Sequence, residues 1–487
     1  MGDRCHRRES FTAMVELPVP ETACGGPAAS PRAGRGSPAG GPGGEPIGAG
    51  LRIGRVVIDV SPLRSSRDFR WLFGGRFVSL AGNAVALTAA NWQIYALTRS
   101  SLAVGLLSLA DSAGMLVGLL AGGMLADRHD RRMLLAAVRL PQAVLAAGML
   151  ANSLLSRPLL APIYVITLLI GMLAGVGAPA STAATPALVG PSQLAAAVAL
   201  NSMSNQLGSL GGPALAGYLI AGPGLAACYG ADALGFAVFG AAMLFVRPLR
   251  PAVRAQRPGL RSLREGLSYV RRSPVVGGML LIDTNAMIFG MPTALFPALA
   301  RDHFHGGSST FGLLAAAPAL GAIIGAATSG WTSHVRRPGL VVIGAGLVWG
   351  AAIVAFGLTA ILPIALAFLA LAGMGDMISE ILRNALLQHY TPDPLRGRVS
   401  SLYLAQVNTA PALGNTEAGT VAQLFSPTIS VVSGGLACVA GALLLGTLIP
   451  GLRRATLATS GRGPASLGTS SGAAPPAAAP ASDAAPD

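Results

Sequence analysis

Apolar residues along this chain come in long unbroken runs rather than in alternation with polar ones. Twelve runs occupy positions 74–97, 103–126, 133–153, 159–182, 194–220, 225–246, 275–299, 310–333, 339–358, 361–388, 399–424 and 429–450. At 1.5 Å per residue, roughly 20 residues cross a hydrocarbon core of about 30 Å. Barrel strands would be short and alternating, so the runs predict helices. One run alone could be the buried helix of a soluble core, but twelve in series argue for an all-α, polytopic membrane protein.

Composition agrees. Hydrophobic residues make up 52% of the 487 and charged ones only 11%, with mean hydropathy +0.59, whereas soluble domains carry about 25% charged residues. The formal charge is +14, and all 34 basic residues are arginine. Charge so sparse between apolar runs is topology information rather than a nucleic-acid surface, and no nucleic-acid partner is expected. Cys5, Cys24, Cys228 and Cys438 lack metal or disulfide spacing, and His303-x-His305 is too short for a metal site. No metal and no cofactor are expected. Residues 1–60 and 452–487 are rich in Gly, Pro, Ala and Ser and predict disordered tails. No signal peptide precedes the first run, and Met14 is an alternative start.

Arginine placement predicts orientation. With a cytoplasmic N-terminus, the inner connections carry fifteen arginines and the outer ones three, Arg99, Arg157 and Arg301. That bias places both termini in the cytoplasm, with the protein in the plasma or inner membrane. The longest connection, 247–274, divides a half at 61–246 from a half at 275–451. Its eight arginines suit anionic lipid headgroups, and 260–272 reads as an interfacial amphipathic helix. Residues 186–217 and 387–419 echo one another at an offset of about 201. Such duplication is a transporter feature, with the substrate between the halves near the midplane.

The run Gly123-Met124-Leu125-Ala126-Asp127-Arg128-His129-Asp130-Arg131-Arg132 packs acids and arginines into one inner turn. Gly123 would let two helices approach, and Asp127 would pair with an arginine or cap a helix N-terminus. A latch of this kind would hold one closed state. The alternative is a solvated basic turn. The run resembles the signature between helices 2 and 3 of the major facilitator superfamily. Its Asp-Arg-x-Asp-Arg-Arg form, together with Pro392-Asp393-Pro394-Leu395-Arg396-Gly397-Arg398-Val399-Ser400, is similar to the enterobactin-exporter-like efflux branch. The resemblance spans 61–450 and implies two pseudo-symmetric six-helix halves. It makes Gly123, Asp127, Arg128, Arg131 and Arg132 a gating loop. In the second half, His334 stands where the matching acid would be. Gly208, Gly212, Pro213 and Gly217 resemble an antiporter motif, with Ala199 and Ala216 departing from it.

Charges inside the apolar runs are costly and mark sites or partners. They are Asp111, Arg139, Asp232, Asp283, Asp376, Glu380, Arg383 and Glu417. In the family architecture helices 1, 4, 7 and 10 line the cavity, which singles out Asp283, Asp376 and Glu380 as proton-coupling candidates. A Glu380–Arg383 structural pair would leave Asp376 free to exchange a proton. Asp111, Arg139 and Asp232 are expected to pair between helices. Asn83, Asn91, Gln93 and Asn285 are substrate-cavity candidates or interhelical glue. No catalytic constellation and no phosphate-binding loop is present, so no enzyme is expected and an ion gradient would supply the energy. The reading is a monomeric, proton-coupled exporter of a drug-like compound or siderophore. An importer or uniporter, or a transport-dead membrane sensor, are the rivals.

Overall fold

A computed structural model describes residues 59–249 and 260–457. The expected tails lie almost wholly outside these, as do Met14, Cys5, Cys24 and the central loop over 250–259. Where the C-terminal tail does overlap the described residues, over 452–457, it is packed. Leu452 and Ala455 are buried, and Tyr390 and Thr456 exchange hydrogen bonds at 3.1 and 3.2 Å.

Among the described residues the fold is all helical, with twelve long segments: α1 (Arg67–Thr98), α2 (Ser101–Arg128), α3 (Arg131–Ser153), α4 (Leu160–Leu188), α5 (Leu194–Ala221), α6 (Leu225–Leu244), α7 (Pro274–His303), α8 (Ser308–Thr328), α9 (Pro338–Leu358), α10 (Leu362–Tyr390), α11 (Asp393–Leu424) and α12 (Pro427–Leu448). Ten are long and apolar enough to cross a membrane; α5 and α11 fall short. Those two carry the polar load, including Asn201, Asn205 and Gln206 on α5 and Gln406, Asn408, Asn415 and Glu417 on α11. Large apolar side chains such as Leu120, Val144, Leu234 and Leu358 lie more than half exposed along the bundle's outside, the belt that lipid would cover.

Local chemistry sets the helix ends. The side chains of Ser66, Ser100, Ser273 and Ser426 cap α1, α2, α7 and α12 by accepting from the amide three residues on. Arg99, at φ 54°, closes α1 and turns the chain directly into α2.

The helices pair with a repeat. In the first half α1 packs on α5 and α6, α2 on α4, and α3 on α4 and α6. In the second, α7 packs on α11 and α12, α8 on α10, and α9 on α10 and α12. Each pairing recurs six helices later, and the two main contacts between halves, α2 with α11 and α5 with α8, exchange under the same operation. Glycine against backbone builds the tightest pairs. A Cβ at Gly118 would lie 1.9 Å from the Met172 carbonyl oxygen, and one at Gly321 would lie 1.7 Å from that of Ala370. The expected close-packing Gly123 faces open space instead; its neighbour Gly122 makes the contact, against Val176.

The run over 275–299 is not one regular helix. α7 is α-helical over Pro274–Phe289, breaks at Gly290, and continues through a 3₁₀ turn to a π turn at Leu299–His303. The freed backbone groups find partners: the Trp349 indole donates to the Gly290 carbonyl at 2.7 Å. Asn415 Oδ1 accepts from the Ala294 amide at 3.0 Å and from Thr293 Oγ1 at 2.7 Å. Such pairing is what permits broken backbone at membrane depth. Between the halves, helix Leu260–Arg272 lies against the start of α11, where Glu265 pairs with Arg398 and the Tyr269 hydroxyl donates to the Tyr390 carbonyl.

Candidate functional site

Among the described residues the two halves meet at one end of the bundle and at mid-depth. At the end away from the α2–α3 turn, Ala294 and Ala298 of α7 enter the first-half cluster around Ile94 and Leu107, and Trp92 stacks on Phe311 at 5.7 Å. Ser100 donates to Gln423 at 2.9 Å, Ser308 to the Gly217 carbonyl at 3.1 Å, and Tyr95 to Asp302. Mid-depth contacts close the seam with Ser112 to the Asn408 carbonyl at 2.9 Å and Gln206 to Met377 Sδ at 3.7 Å. At the loop end, each buried cluster stays within its own half: one around Phe69, Leu135 and Phe239, the other around Val276, Leu386 and Val399. Among the described residues, the halves are thus joined at one end and at mid-depth, and their buried clusters stay separate at the loop end.

Inside the second half lies the strongest charged arrangement. Arg383 of α10 is buried, and its guanidinium reaches Asp283 of α7 at 3.0 Å and Asp376 of α10 at 3.3 Å. A further hydrogen bond runs to Ser379 Oγ at 2.9 Å. Asp283 is 1% exposed and also accepts from Gln406 of α11 at 2.9 Å. The Asp376 side chain is 43% exposed, so one arm of the cluster is shut in the helix core and the other is open. This corrects the expected Glu380–Arg383 pair: the arginine is shared by Asp283 and Asp376, one turn too far for a three-residue reading and on another helix. Only tertiary packing brings α7 and α11 to it. Arg383 Nε has no partner. The cluster can hold charge while one carboxylate exchanges partners with solvent or solute.

The gating-loop residues stand at the loop end. The Asp127 side chain, on the last turn of α2, makes no hydrogen bond or ion pair with another described residue. Asp130 is the capping acid instead: its Oδ1 accepts from the Arg132 amide at 2.9 Å and from the Leu249 amide at 2.9 Å. Arg131 and Arg132 reach the carbonyls of Ala183 and Val246, which ties α3 to the ends of α4 and α6. Arg128 is exposed. In the antiporter-like helix Gly212 packs on Ala84 of α1, Gly217 and Pro213 pack on Gly312 of α8 across the seam, and Gly208 is loosely packed.

The amide candidates sit elsewhere than a shared cavity. Gln93 is 1% exposed and accepts from Tyr229 of α6 at 2.5 Å, within the first half. Asn285 donates to the Cys438 carbonyl at 2.9 Å and joins α7 to α12. Asn83 lines a small cavity inside the first half, and Asn91 keeps an unpartnered buried Oδ1. The expected pairing of Asp111, Arg139 and Asp232 is also not what forms: no ion pair joins them. Arg139 donates to Gln142 at 2.9 Å and stacks over the rings of Phe236 and Phe239 at 5.6 and 5.0 Å. Asn415, which repairs the break in α7, was not singled out in the sequence, although an amide on an otherwise apolar face was its signal.

Two six-helix halves related by a repeat, an apolar exterior and a buried charged cluster fit a multi-pass membrane transporter. The chain belongs to the transmembrane secretion effector family of the major facilitator superfamily, whose model matches residues 58–464. It is 35% identical over 398 residues to the enterobactin exporter EntS of Citrobacter koseri, covering 82% of this chain and 95% of that one. It is 34% identical to the protein of the same name in Shigella boydii, covering 81% and 93%. Among solved structures, a bacterial homologue of the lysosomal transporter Spinster, inward-facing and unoccupied, superposes with a TM-score of 0.60 at 16% identity, covering 79% and 95%. A bacterial homologue of the iron transporter ferroportin, also inward-facing, gives 0.59 at 16% identity, covering 80% and 98%. At those identities the likeness is one of fold.

Proposed function

We propose that this protein exports a small organic molecule, a siderophore of the enterobactin kind, by proton-coupled alternating access. The observation that carries the substrate class is the match to enterobactin exporters over 95% of a relative's length. With both termini cytoplasmic, as the arginine bias argues, the loop end faces the cytoplasm and is the side from which the solute loads. Asp127 without a partner fits a latch in its released state. The arginines of the central connection meet anionic lipid on the same side, and the unit of function is a monomer.

Coupling runs through the cluster at Arg383. Asp376, the exposed arm, takes either a proton or a hydrogen bond from a hydroxyl or N–H group of the solute, while Asp283 keeps the guanidinium neutralised. Proton and solute then compete for one carboxylate, so that loading either releases the other. Glu380 stands beside this exchange as a second acceptor.

The test is flux of enterobactin into inverted vesicles or proteoliposomes under an imposed pH gradient. Wild type is expected to accumulate enterobactin, and Asp376→Asn to bind it without gradient-driven accumulation. Unchanged accumulation in that variant overturns the coupling assignment. Absence of enterobactin flux in the folded wild type overturns the substrate class.

A further inference from the structure

The first half holds a second polar interior that the transport reading does not use. A cavity of about 40 Å³ lies at mid-depth among α1, α2, α3, α4 and α6. Its polar lining is Asn83, Asp111, Thr167, Tyr229 and Asp232. Asp232 is 2% exposed, and its Oδ1 is buried with no hydrogen-bond partner. Asp111 is half-buried, and its side chain likewise has no hydrogen bond or ion pair to a described residue. Glycines hold the walls close: Gly82 of α1 abuts the Asp232 backbone, and a Cβ at Gly171 of α4 would lie 2.9 Å from Asp111 Oδ1.

The charged and titratable groups around Asp232 are few. From α3 comes Arg139, in electrostatic reach but turned onto Phe236, Phe239 and Gln142. Arg76 of α1 faces Arg139. Tyr229 of α6 donates its hydroxyl hydrogen bond to Gln93, Cys228 beside it donates to the Gly224 carbonyl, and Tyr164 of α4 donates to the Ala103 carbonyl. None of these neutralises Asp232 by contact. Leaving a buried carboxylate charged without a counter-ion is strongly unfavourable, so it must take up a cation. A water needs about 10–15 Å³ and an organic ligand about 300 Å³ or more, so the space admits waters and no solute.

We propose that Asp232 is a proton-storage site in the first half, loaded through the half-buried Asp111 by way of water in this cavity. It is separate from the Arg383 cluster and occupied without substrate. The proposal goes beyond the transport reading, because it concerns proton uptake with no solute present. Either can fail while the other stands.

The experiment is infrared pH titration of the full-length protein in nanodiscs, reading the stretch of protonated carboxyl groups, with proton uptake after a pH jump measured in parallel. Asp232→Asn is expected to remove one titrating carboxyl band and to take up about one proton per chain fewer than wild type. Asp111→Asn should keep that band but slow its exchange in deuterated water. Asp232→Glu, which retains a carboxyl, should restore a titrating band, so loss in Asp232→Asn is not mere misfolding. An unchanged band and proton count in a folded Asp232→Asn overturns the proposal. So does a band that responds to sodium chloride at fixed pH, which would make the occupant sodium rather than a proton.

Discussion

Gly105 of α2 offers the sharpest test of the seal between the halves. A Cβ built there would lie 2.4 Å from the Asn415 carbonyl oxygen, 2.9 Å from its carbon and 3.0 Å from the Thr416 Cα. All three are backbone atoms of α11, which cannot rotate aside. Ordinary contact begins near 3.4 Å, so Gly105→Ala must push α2 and α11 apart by about 1 Å, the difference between 3.4 and 2.4. The same shift strains the hydrogen bonds from Asn415 to Ser108 and from Thr416 to the Gly105 carbonyl. Overpacking of this kind costs about 1–3 kcal/mol. The cost falls only on the state in which these helices touch, so the sealed conformer should lose ground to its alternate by about 5- to 150-fold.

Cross-linking reads that shift. Ser100 and Gln423 face each other across the seam at 2.9 Å. In a cysteine-free background, Ser100→Cys with Gln423→Cys should cross-link rapidly, and adding Gly105→Ala should cut the yield several-fold. Gly321→Ala is the control. Its clash, 1.7 Å from the Ala370 carbonyl oxygen, lies within one half, so it should lower thermal stability without altering the yield. An unchanged yield in folded Gly105→Ala would falsify the view that the α2–α11 contact is the seal.

Further outcomes follow from the buried charges and caps. Arg383→Ala strips a counter-ion from Asp283 and should cost about 3–5 kcal/mol, read as a lowered thermal transition in detergent; Arg383→Met combined with Asp283→Asn should recover most of it. Asp130→Ala removes the acceptor for the Arg132 and Leu249 amides, at about 1–2 kcal/mol for a cap; chymotryptic cleavage near 245–249 should quicken while the rest of the bundle holds. Asp59 accepts from the Ser61 amide, which holds its carboxyl below the usual range. A lowered folded pKa gives stability that is present above the unfolded value and lost as pH falls through the folded one. Amide exchange over Ser61–Ser65 should therefore speed up, beyond its intrinsic pH dependence, only below the ordinary carboxylate range.

Much of the fold was legible because hydrophobic run length is a one-dimensional signal. Eleven of the runs correspond to regular long helices, and the echo between 186–217 and 387–419 falls on α5 and α11, which exchange under the repeat. The break in α7 was hidden, since Gly290 and Pro292 interrupt a run without altering its hydropathy, and its repair comes from Asn415 and Trp349 on distant helices. The candidate site was legible as a list of charges but not as a set of pairs. Helical spacing proposed Glu380 for Arg383 from local geometry alone, whereas the arginine's partner Asp283 is a hundred residues away. The same limit applied to Asp127 and Asp130. Both are acids in one turn, and which of them caps a helix depends on where the Leu249 amide arrives.

The molecule uses one device for two opposite ends, and the polar chemistry tells them apart. Within each half, Gly114, Gly118 and Gly122 seat α2 on α4, and Gly321, Gly325 and Gly373 seat α8 on α10, backbone against backbone. Across the halves, Gly105, Gly217, Gly312 and Gly419 allow similarly close approach. The seam adds what the internal pairs largely lack, hydroxyl-to-carbonyl bonds from Ser112, Thr416 and Ser308 to the facing helix. Each contributes about 0.5–1.5 kcal/mol net, since water replaces it when the helices part. Apolar glycine contacts inside a half gain no such replacement from lipid, so they stay closed. A rigid half and a releasable seam thus follow from placing hydroxyls beside the same small residues. On the proposed alternating-access mechanism, that placement would let two six-helix bodies rock without either coming apart.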